Sequence, residues 1–559
     1  MAFVRLAAPF WLTGKSTKVI RQTVALIILT ILQIVVAVEI TQWTASLFNA
    51  LEQRSMSGLM TQIGRLALIF AANMVITTFH LMVKRGLTIG WRSWFTKLVI
   101  GKWMDKGYHF QITHLAGDHD NPDSRIADDV RIATEDAITL GHSLFYCLLM
   151  LGSYTQILWS LSGVITKNWH NIEFNIYGHL VWLAIIYAAG ASTLVWWIGK
   201  PLTKATNYKQ SVEANFRFGL VKARENSQAI ALIYGEKNEQ QRFGKLFNDI
   251  VVAYQQQTKA WVYITLFTSG YSVLSMAFPV LISAPRFIIG AITLGTLMQS
   301  AQAFQQMAAA LSWPVDNMAS VANWRASVER VLSLVGTLDA LEKQDTLASK
   351  RRIVVTKAEE SVLSFYNLCI EKPNGEVIVS NVNAKINLGE KVLISADATT
   401  GAKLFKVIAG LWHWGSGYVE LPDGDPMFFM PPSPYLPSGT LLSAICYPRA
   451  VEEFDIELVR ESLTLAGLPS LFNQLDHVDN WDDTLSQEIH QRLGLVRLLI
   501  YKPKWILLQE SLDSLDPNSE NNMLELICKQ LPDASLLTVT NHCTLNSYCA
   551  TLHDRWITL

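Results

Sequence analysis

The sequence predicts a multi-domain membrane protein: an all-α domain of six membrane-spanning helices, then an α/β domain with a largely parallel sheet. Three observations carry this. Half of the 559 residues are hydrophobic and only 17% are charged, against about 25% in an average soluble domain. The long stretches without Asp, Glu, Lys or Arg all lie in the first three-fifths of the chain. After about Val331 charges return, and short β-branched runs alternate with helical patterns, as in a parallel α/β layer. The length exceeds that of one ordinary domain, and the composition excludes a disordered chain. The 46 basic and 47 acidic residues nearly cancel, which disfavours a nucleic-acid binder. Six scattered cysteines without a CxxC pair suggest neither a disulfide framework nor a metal site.

The uncharged stretches are Thr23–Val38, Leu66–Val83, Ala137–Thr166, Phe174–Gly199, Ala260–Pro285 and Phe287–Val315. A bilayer-spanning helix needs roughly 20 apolar residues. The first stretch is short only because Glu39 interrupts a run that continues to Leu51; it is too long for a signal peptide. Six spans are therefore expected near 23–48, 62–84, 137–164, 176–200, 260–283 and 289–315. Basic residues crowd the N-terminal arm (Arg5, Lys15, Lys18, Arg21) and the connections after span two (Lys84 to Lys106) and span four (Lys200 to Arg224). The other connections hold little more than Arg54, Lys167 and Arg286. By the positive-inside rule both termini are cytoplasmic, and the two long basic connections read as helices that continue beyond the lipid. The membrane domain is set at 1–334, a polar linker at 335–351 and the α/β domain at 352–559.

In the α/β domain, helices are expected at Ala402–Leu411, Ile456–Leu465, Gln487–Tyr501 and Ser519–Gln530, between strands such as 391–395 and 505–509. One order of fragments stands out there. Leu393-Ile-Ser-Ala-Asp-Ala-Thr-Thr-Gly-Ala-Lys leads into Val407-Ile-Ala-Gly-Leu-Trp; then come Pro434-Tyr-Leu-Pro-Ser-Gly-Thr, Leu485-Ser-Gln-Glu-Ile, Trp505-Ile-Leu-Leu-Gln-Glu, Ser514-Leu-Asp-Pro and Val539-Thr-Asn-His. This order resembles the phosphate loop, Q-loop region, signature, Walker B strand, D-loop and switch histidine of an ABC transporter nucleotide-binding domain. In the membrane half, Asp120-Asn-Pro-Asp-Ser-Arg-Ile-Ala-Asp-Asp-Val, Glu213-Ala-Asn-Phe-Arg, Arg224-Glu-Asn-Ser-Gln-Ala-Ile-Ala, Tyr234-Gly-Glu and Ser283-Ala-Pro-Arg-Phe resemble the SbmA/BacA and YddA-type branch, related to peroxisomal subfamily D half-transporters. The resemblance covers nearly the whole chain. It implies a six-helix domain of ABC exporter type fused to a P-loop-like ABC ATPase domain. It further implies a homodimer in a bacterial inner membrane in contact with lipid, ATP and Mg as cofactors, and a peptide or cobalamin-like cargo.

The motifs depart from that family where its chemistry is densest. A phosphate loop reads GxxxxGK[ST]: glycines let backbone N–H groups cradle phosphates, lysine neutralises them and the hydroxyl holds Mg²⁺. Here the stretch is Ala396-Asp-Ala-Thr-Thr-Gly-Ala-Lys. In one frame Gly401 precedes Ala402 in the lysine position and Lys403 in the hydroxyl position; in the other, Gly401 itself replaces the lysine. Asp397 adds a negative charge where phosphates would lie. A plain strand–turn–helix connection kept for packing explains the segment as well. The metal-site aspartate of the Walker B strand is Gln509, a poor ligand for a hard dication, although Glu510 keeps the water-activating position. Ser486 survives in the signature, but Gln487 and Glu488 replace its glycines. Pro432 stands where the Q-loop glutamine belongs. Asp516 and the switch histidine His542 remain, and Tyr366 is the candidate adenine-stacking aromatic.

Two acids are singled out for transport. Glu39 interrupts the first span, where an ionised group costs about 3 kcal/mol on insertion scales; an acid snorkelling to the outer interface explains it equally well. Glu213 lies in the Glu-Ala-Asn-Phe-Arg segment and matches the glutamates that proton-driven importers of this branch use. Glu225, Glu236 and Glu239 read as a solvated helix face. Three functions follow: a homodimeric transporter not driven by ATP hydrolysis, an ordinary ATP-driven member with divergent motifs, and a scaffold or sensor that transports nothing.

Overall fold

The computed structural model describes residues 2–12, 16–115, 121–169, 172–346, 352–358, 360–424, 427–511, 517–540 and 552–559. The chain forms two compact units. One comprises Met1–Ile100 and Asn121–Val335, the other Gly101–Asp120 and Gly336–Leu559.

The first unit is helical. Its main helices are α1 (Ser16–Glu52), α2 (Met56–Met104), α3 (Val130–Ser162), α4 (His179–Glu225), α5 (Glu236–Ile288), α6 (Leu294–Asp316) and α7 (Met318–Thr346). Among the described residues five helices, those containing α1 to α5, are long and apolar enough to cross a membrane. Helices α2, α4 and α5 run to 47–53 residues, far beyond the ~20 that hydrocarbon requires. Their polar extensions are continuous with the apolar spans. Helix α6 is shorter, 23 residues, and packs against α1, α3, α4 and α5. Its buried Ala301, Ala303, Ala308 and Ala310 let backbones approach closely, as lipid-embedded helix contacts favour. Tyr154 is fully buried beside α1, where its hydroxyl donates to the Ala37 carbonyl at 3.0 Å and meets the Thr41 hydroxyl at 3.1 Å.

The ends of these helices are closed by side chains. Asn49 and Glu52 of α1 accept the amides of Gly295 and Leu294 at 3.0 Å each, so α1 caps the start of α6. A methyl group on Gly295 would lie 2.1 Å from the Ala45 carbonyl oxygen, so only glycine permits this approach. At the C-terminal end of α3, Arg286 donates to the Ser162 carbonyl at 2.5 Å, and a cation suits a helix C-terminus. The Ser283-Ala-Pro-Arg-Phe motif is thus a helix-closing device. One element was not foreseen: an antiparallel hairpin, β1 (Val164–Trp169) and β2 (Ile172–Tyr177), follows α3. The polar stretch expected as a linker is helical as far as Thr346, where α7 ends.

Among the described residues the second unit holds two larger sheets and a two-residue antiparallel ladder that pairs Gly439–Thr440 with Val478–Asp479. After β3 (Val354–Ala358), β4 (Val362–Glu371), β5 (Val377–Asn387) and β6 (Lys391–Ser395) come α8 (Ala398–Ile408), β7 (Gly415–Pro422) and β8 (Met427–Met430). Then follow α9 (Leu441–Cys446), α10 (Ile456–Leu465), α11 (Gln487–Tyr501), β9 (Trp505–Gln509), α12 (Pro517–Gln530), β10 (Ser535–Thr540) and β11 (Arg555–Thr558). Five strands form a wholly parallel sheet in the order β11-β6-β10-β9-β8. The remaining four form a second, mixed sheet, β3-β7-β4-β5. One core lies between the sheets around Leu363, Phe365, Leu404, Val407 and Trp412. The other packs α10 and α11 around Val459, Leu463, Trp481 and Val496. Helix α8 begins at Ala398, four residues earlier than the sequence pattern suggested, because Asp397 caps it.

The Asp120-to-Val130 motif also has a structural basis from Asn121 onward. Asn121 adopts a left-handed φ of 60° and Pro122 takes the first helical position, as its fixed φ favours. Asp129, only 4% exposed, accepts from Arg125 at 3.1 Å and from Arg330 of α7 at 2.8 and 2.5 Å. Burial pushes its carboxyl up, but hydrogen bonds from Arg330, Ser327 and Arg125 outweigh that and hold it below the usual value. A depressed folded pKa contributes stability above the unfolded value and loses it as pH falls through the folded one. We expect Asp129→Asn to destabilise the helical unit by about 3 kcal/mol at neutral pH. In thermal unfolding of the detergent-solubilised protein, that gap should close as the pH drops below about 4.

Candidate functional site

In an open parallel sheet, ligands bind outside the carboxyl ends of the strands. Three of the expected nucleotide-site segments meet at that edge. The chain leaves β6 at Ser395 and enters α8 at Ala398; it leaves β8 before Pro432; and β9 ends at Gln509, just before Glu510, beside β10. A methyl on Gly401 would meet Val539 of β10 at 2.7 Å, and the Glu510 amide donates to the Val539 carbonyl at 3.1 Å. The start of α8 and the end of β9 therefore both touch β10.

Only two residues, Ala396 and Asp397, connect β6 to α8. The amides at a helix N-terminus are unpaired within the helix and attract anions. Here the Asp397 carboxylate takes them: it accepts the Thr399 and Thr400 amides at 2.9 and 3.1 Å and the Thr400 hydroxyl at 2.6 Å. The bonds from the Thr400 side chain and backbone hold this carboxyl below its usual pKa. Gly401 is buried where α8 presses on β10, so its missing side chain serves packing. Ala402 is half-buried and offers no polar atom. Lys403 turns to the indole of Trp412, its Nζ 3.5 Å from the ring centroid. Burial, then Lys406 and Lys372, lower the pKa of its ammonium.

The other positions are as follows. Gln509 is buried at the last position of β9. Glu510 has φ 44°, a left-handed conformation that is strained for a residue with a Cβ. The Pro432 carbonyl accepts from Gln491 Nε2 at 3.1 Å; its ring has no ligand atom for a metal. Ser486 caps α11 by accepting the Ile489 amide at 3.4 Å. Glu488, two residues on, pairs with Arg492 one turn later at 2.8 Å. Tyr366 lies on the other sheet, 45% exposed and paired across strands with Tyr418. Asp516 and His542 lie outside the described residues.

In the helical unit, Glu39 is bound by Arg65 of α2 at 2.7 Å, so the acid in the first span carries its own counter-charge. Glu213 is 51% exposed on α4, with Lys209 one turn earlier at 3.6 Å. The sequence reading passed over a further pair: His80 of α2 and His142 of α3 face each other with Nε2 atoms 2.8 Å apart. They line a cavity of about 360 Å³ with Gln33, Asn73, Thr77 and Tyr146. The signal was present, since both histidines sit in stretches otherwise free of charge.

Comparison with known proteins agrees with this architecture. The model of the ABC transporter transmembrane region 2 family matches residues 9–288. The inner membrane ABC transporter ATP-binding protein YddA of Escherichia coli (strain K12) is 27% identical over 547 residues, 96% of this chain and 94% of that protein. The chloroplastic ABC transporter D family member 2 of Arabidopsis thaliana is 24% identical, covering 93% and 81% of the two chains. The lysosomal cobalamin transporter ABCD4 of Homo sapiens is 23% identical, covering 90% and 86%. A helical membrane unit matched over half the chain, followed by an α/β unit with a parallel sheet, places this protein in the ABC transporter transmembrane region 2 family.

Proposed function

We propose that this chain is one half of a homodimeric transporter of a bacterial inner membrane that moves peptides or other bulky hydrophilic solutes, cobalamin-like compounds included, without hydrolysing ATP. The observation that carries this reading is the Asp397 carboxylate on the amides of Thr399 and Thr400. MgATP does not fit these residues. The amides that would hold phosphate already hold an anion of the chain's own, Lys403 lies on Trp412, and the neutral Gln509 stands in the metal-site position. Losing one well-placed electrostatic contact costs ~3 kcal/mol in catalysis, and here several are lost together. Glu510, Ser486, Asp516 and His542 keep family positions without a bound phosphate to act on.

A homodimer is supported by the inventory of one chain: one set of membrane helices and one α/β unit, where the fold encloses its pathway between two such halves. The basic residues of the long connections support cytoplasmic termini. The likeness to the Escherichia coli inner membrane protein supports an inner membrane, and that to the human cobalamin transporter supports cobalamin-like cargo. The ordinary ATP-driven reading is favoured by the intact Ser486 cap and by the words ATP-binding in the bacterial relative's name. Accumulation without ATP requires an ion gradient. Glu213 is the first candidate to carry the proton and Glu39 the second. Since Glu213 is half exposed in the single chain, the burial that proton coupling needs has to come from the second protomer.

Uptake of a labelled peptide into vesicles should follow an imposed proton gradient, or be passive, and be indifferent to ATP. ATP-dependent uptake would overturn the proposal. Glu213→Gln should abolish the gradient-dependent part while leaving expression and dimer mass unchanged; normal uptake by that variant would remove Glu213 from the mechanism. The packing of α8 makes a separate prediction. Gly401→Ala should cost about 1–3 kcal/mol in thermal unfolding, because its methyl meets Val539 at 2.7 Å. An unchanged midpoint would mean that α8 can shift away from β10.

A further inference from the structure

Helices α4 and α5 enclose a cavity of about 1190 Å³ that the transport reading does not use. On α4 it is lined by Trp197, Lys200 and Lys204, and on α5 by Lys259, Tyr263 and Phe267. The spacings keep each set on one face, since residues three, four and seven apart lie along one side of a helix. The cavity straddles a boundary that both helices share. The uncharged stretch of α4 ends at Gly199, immediately before Lys200, and that of α5 begins at Ala260, immediately after Lys259. The two helices pack against each other. One end of the cavity is therefore walled by three ammonium groups and the other by aromatic rings on the apolar side. No acidic residue lines it among the described residues. Pro201 cannot donate to the carbonyl of Trp197, so the helical ladder of α4 is interrupted at this level.

We propose that this cavity is a binding site for an anionic phospholipid, its phosphate held by Lys200, Lys204 and Lys259 and its acyl chains lying against Trp197, Tyr263 and Phe267. Tryptophan and tyrosine favour the headgroup level of a bilayer, and basic pockets between membrane helices select acidic headgroups. The charge pattern favours this occupant over a zwitterionic lipid, which brings its own cation to the lysines. The apolar rings favour it over free phosphate, which would leave them exposed. Trp197 and Tyr263 are 67% and 65% exposed in the single chain, so the ring surface is open to an acyl chain.

Native mass spectrometry of the full-length protein, released from nanodiscs of phosphatidylglycerol and phosphatidylcholine in equal parts, tests the assignment. The wild type should retain phosphatidylglycerol about tenfold over phosphatidylcholine. Replacing Lys200, Lys204 and Lys259 together by Gln should erase that preference, and replacing them by Arg should restore it. Lys237→Gln with Lys245→Gln, further along α5, should change nothing. If the triple Gln variant does not fold, Lys259→Gln alone should lower the preference several-fold. Equal retention of the two lipids by the wild type, or a preference that survives the triple Gln change, overturns the proposal. So does displacement of the bound lipid by millimolar inorganic phosphate. A loss of dimer mass in the triple variant, with no lipid retained by the wild type, would assign the cavity to the second protomer instead.

Discussion

A backbone amide makes one strong hydrogen bond at a time, and the first free amides of α8 have already made theirs. Thr399 and Thr400 donate to Asp397, a carboxylate two residues past the end of β6. In a phosphate loop, a longer glycine-bearing connection holds such amides open for an anion from solution. Here the connection is short, the helix begins early and the anion is covalently part of the chain. The neighbouring positions are consistent with that closure. Gly401 lets α8 sit hard on β10, Lys403 lies on Trp412, and Gln509 ends β9 with a neutral amide. Each of these suits a packed strand–helix junction.

The membrane unit obeys a different constraint. Hydrocarbon leaves no water for unpaired polar groups, so helix ends and stray charges need partners supplied by the chain. Arg286 closes α3, Asn49 and Glu52 close α6, and Arg65 answers Glu39. Two of the motifs that resemble the transporter family, Ser283-Ala-Pro-Arg-Phe and the segment from Asn121 to Val130, turn out to be such devices. Arg125, Asp129 and Arg330 make the most buried of them, tying the start of α3 to α7.

The long apolar stretches were legible because a bilayer demands unbroken hydrophobic length, and few other constraints write so plainly into a sequence. The helices Ile456–Leu465 and Gln487–Tyr501 were legible for a similar reason: periodic apolar faces with a side-chain cap in front, Asp455 and Ser486. The start of α8 was misplaced because Asp397 was weighed as a charge repelling phosphate and not as a helix cap. The β1–β2 hairpin after α3 was missed, its first residues having been absorbed into an apolar run. Glu39 looked like a lone intramembrane acid since its partner, Arg65, is 26 positions away and on another helix. The His80–His142 pair is 62 positions apart, and a pairing of that kind exists only once the helices have packed.

If the Asp397 cap excludes nucleotide, affinity for MgATP should be negligible before any question of hydrolysis arises. Equilibrium dialysis of the full-length protein against labelled MgATP measures this directly. The account predicts a dissociation constant above about 1 mM, less than ~4 kcal/mol of binding. Saturable binding well below that value would contradict it, and would require the Asp397 carboxylate to leave the amides of α8 when nucleotide arrives.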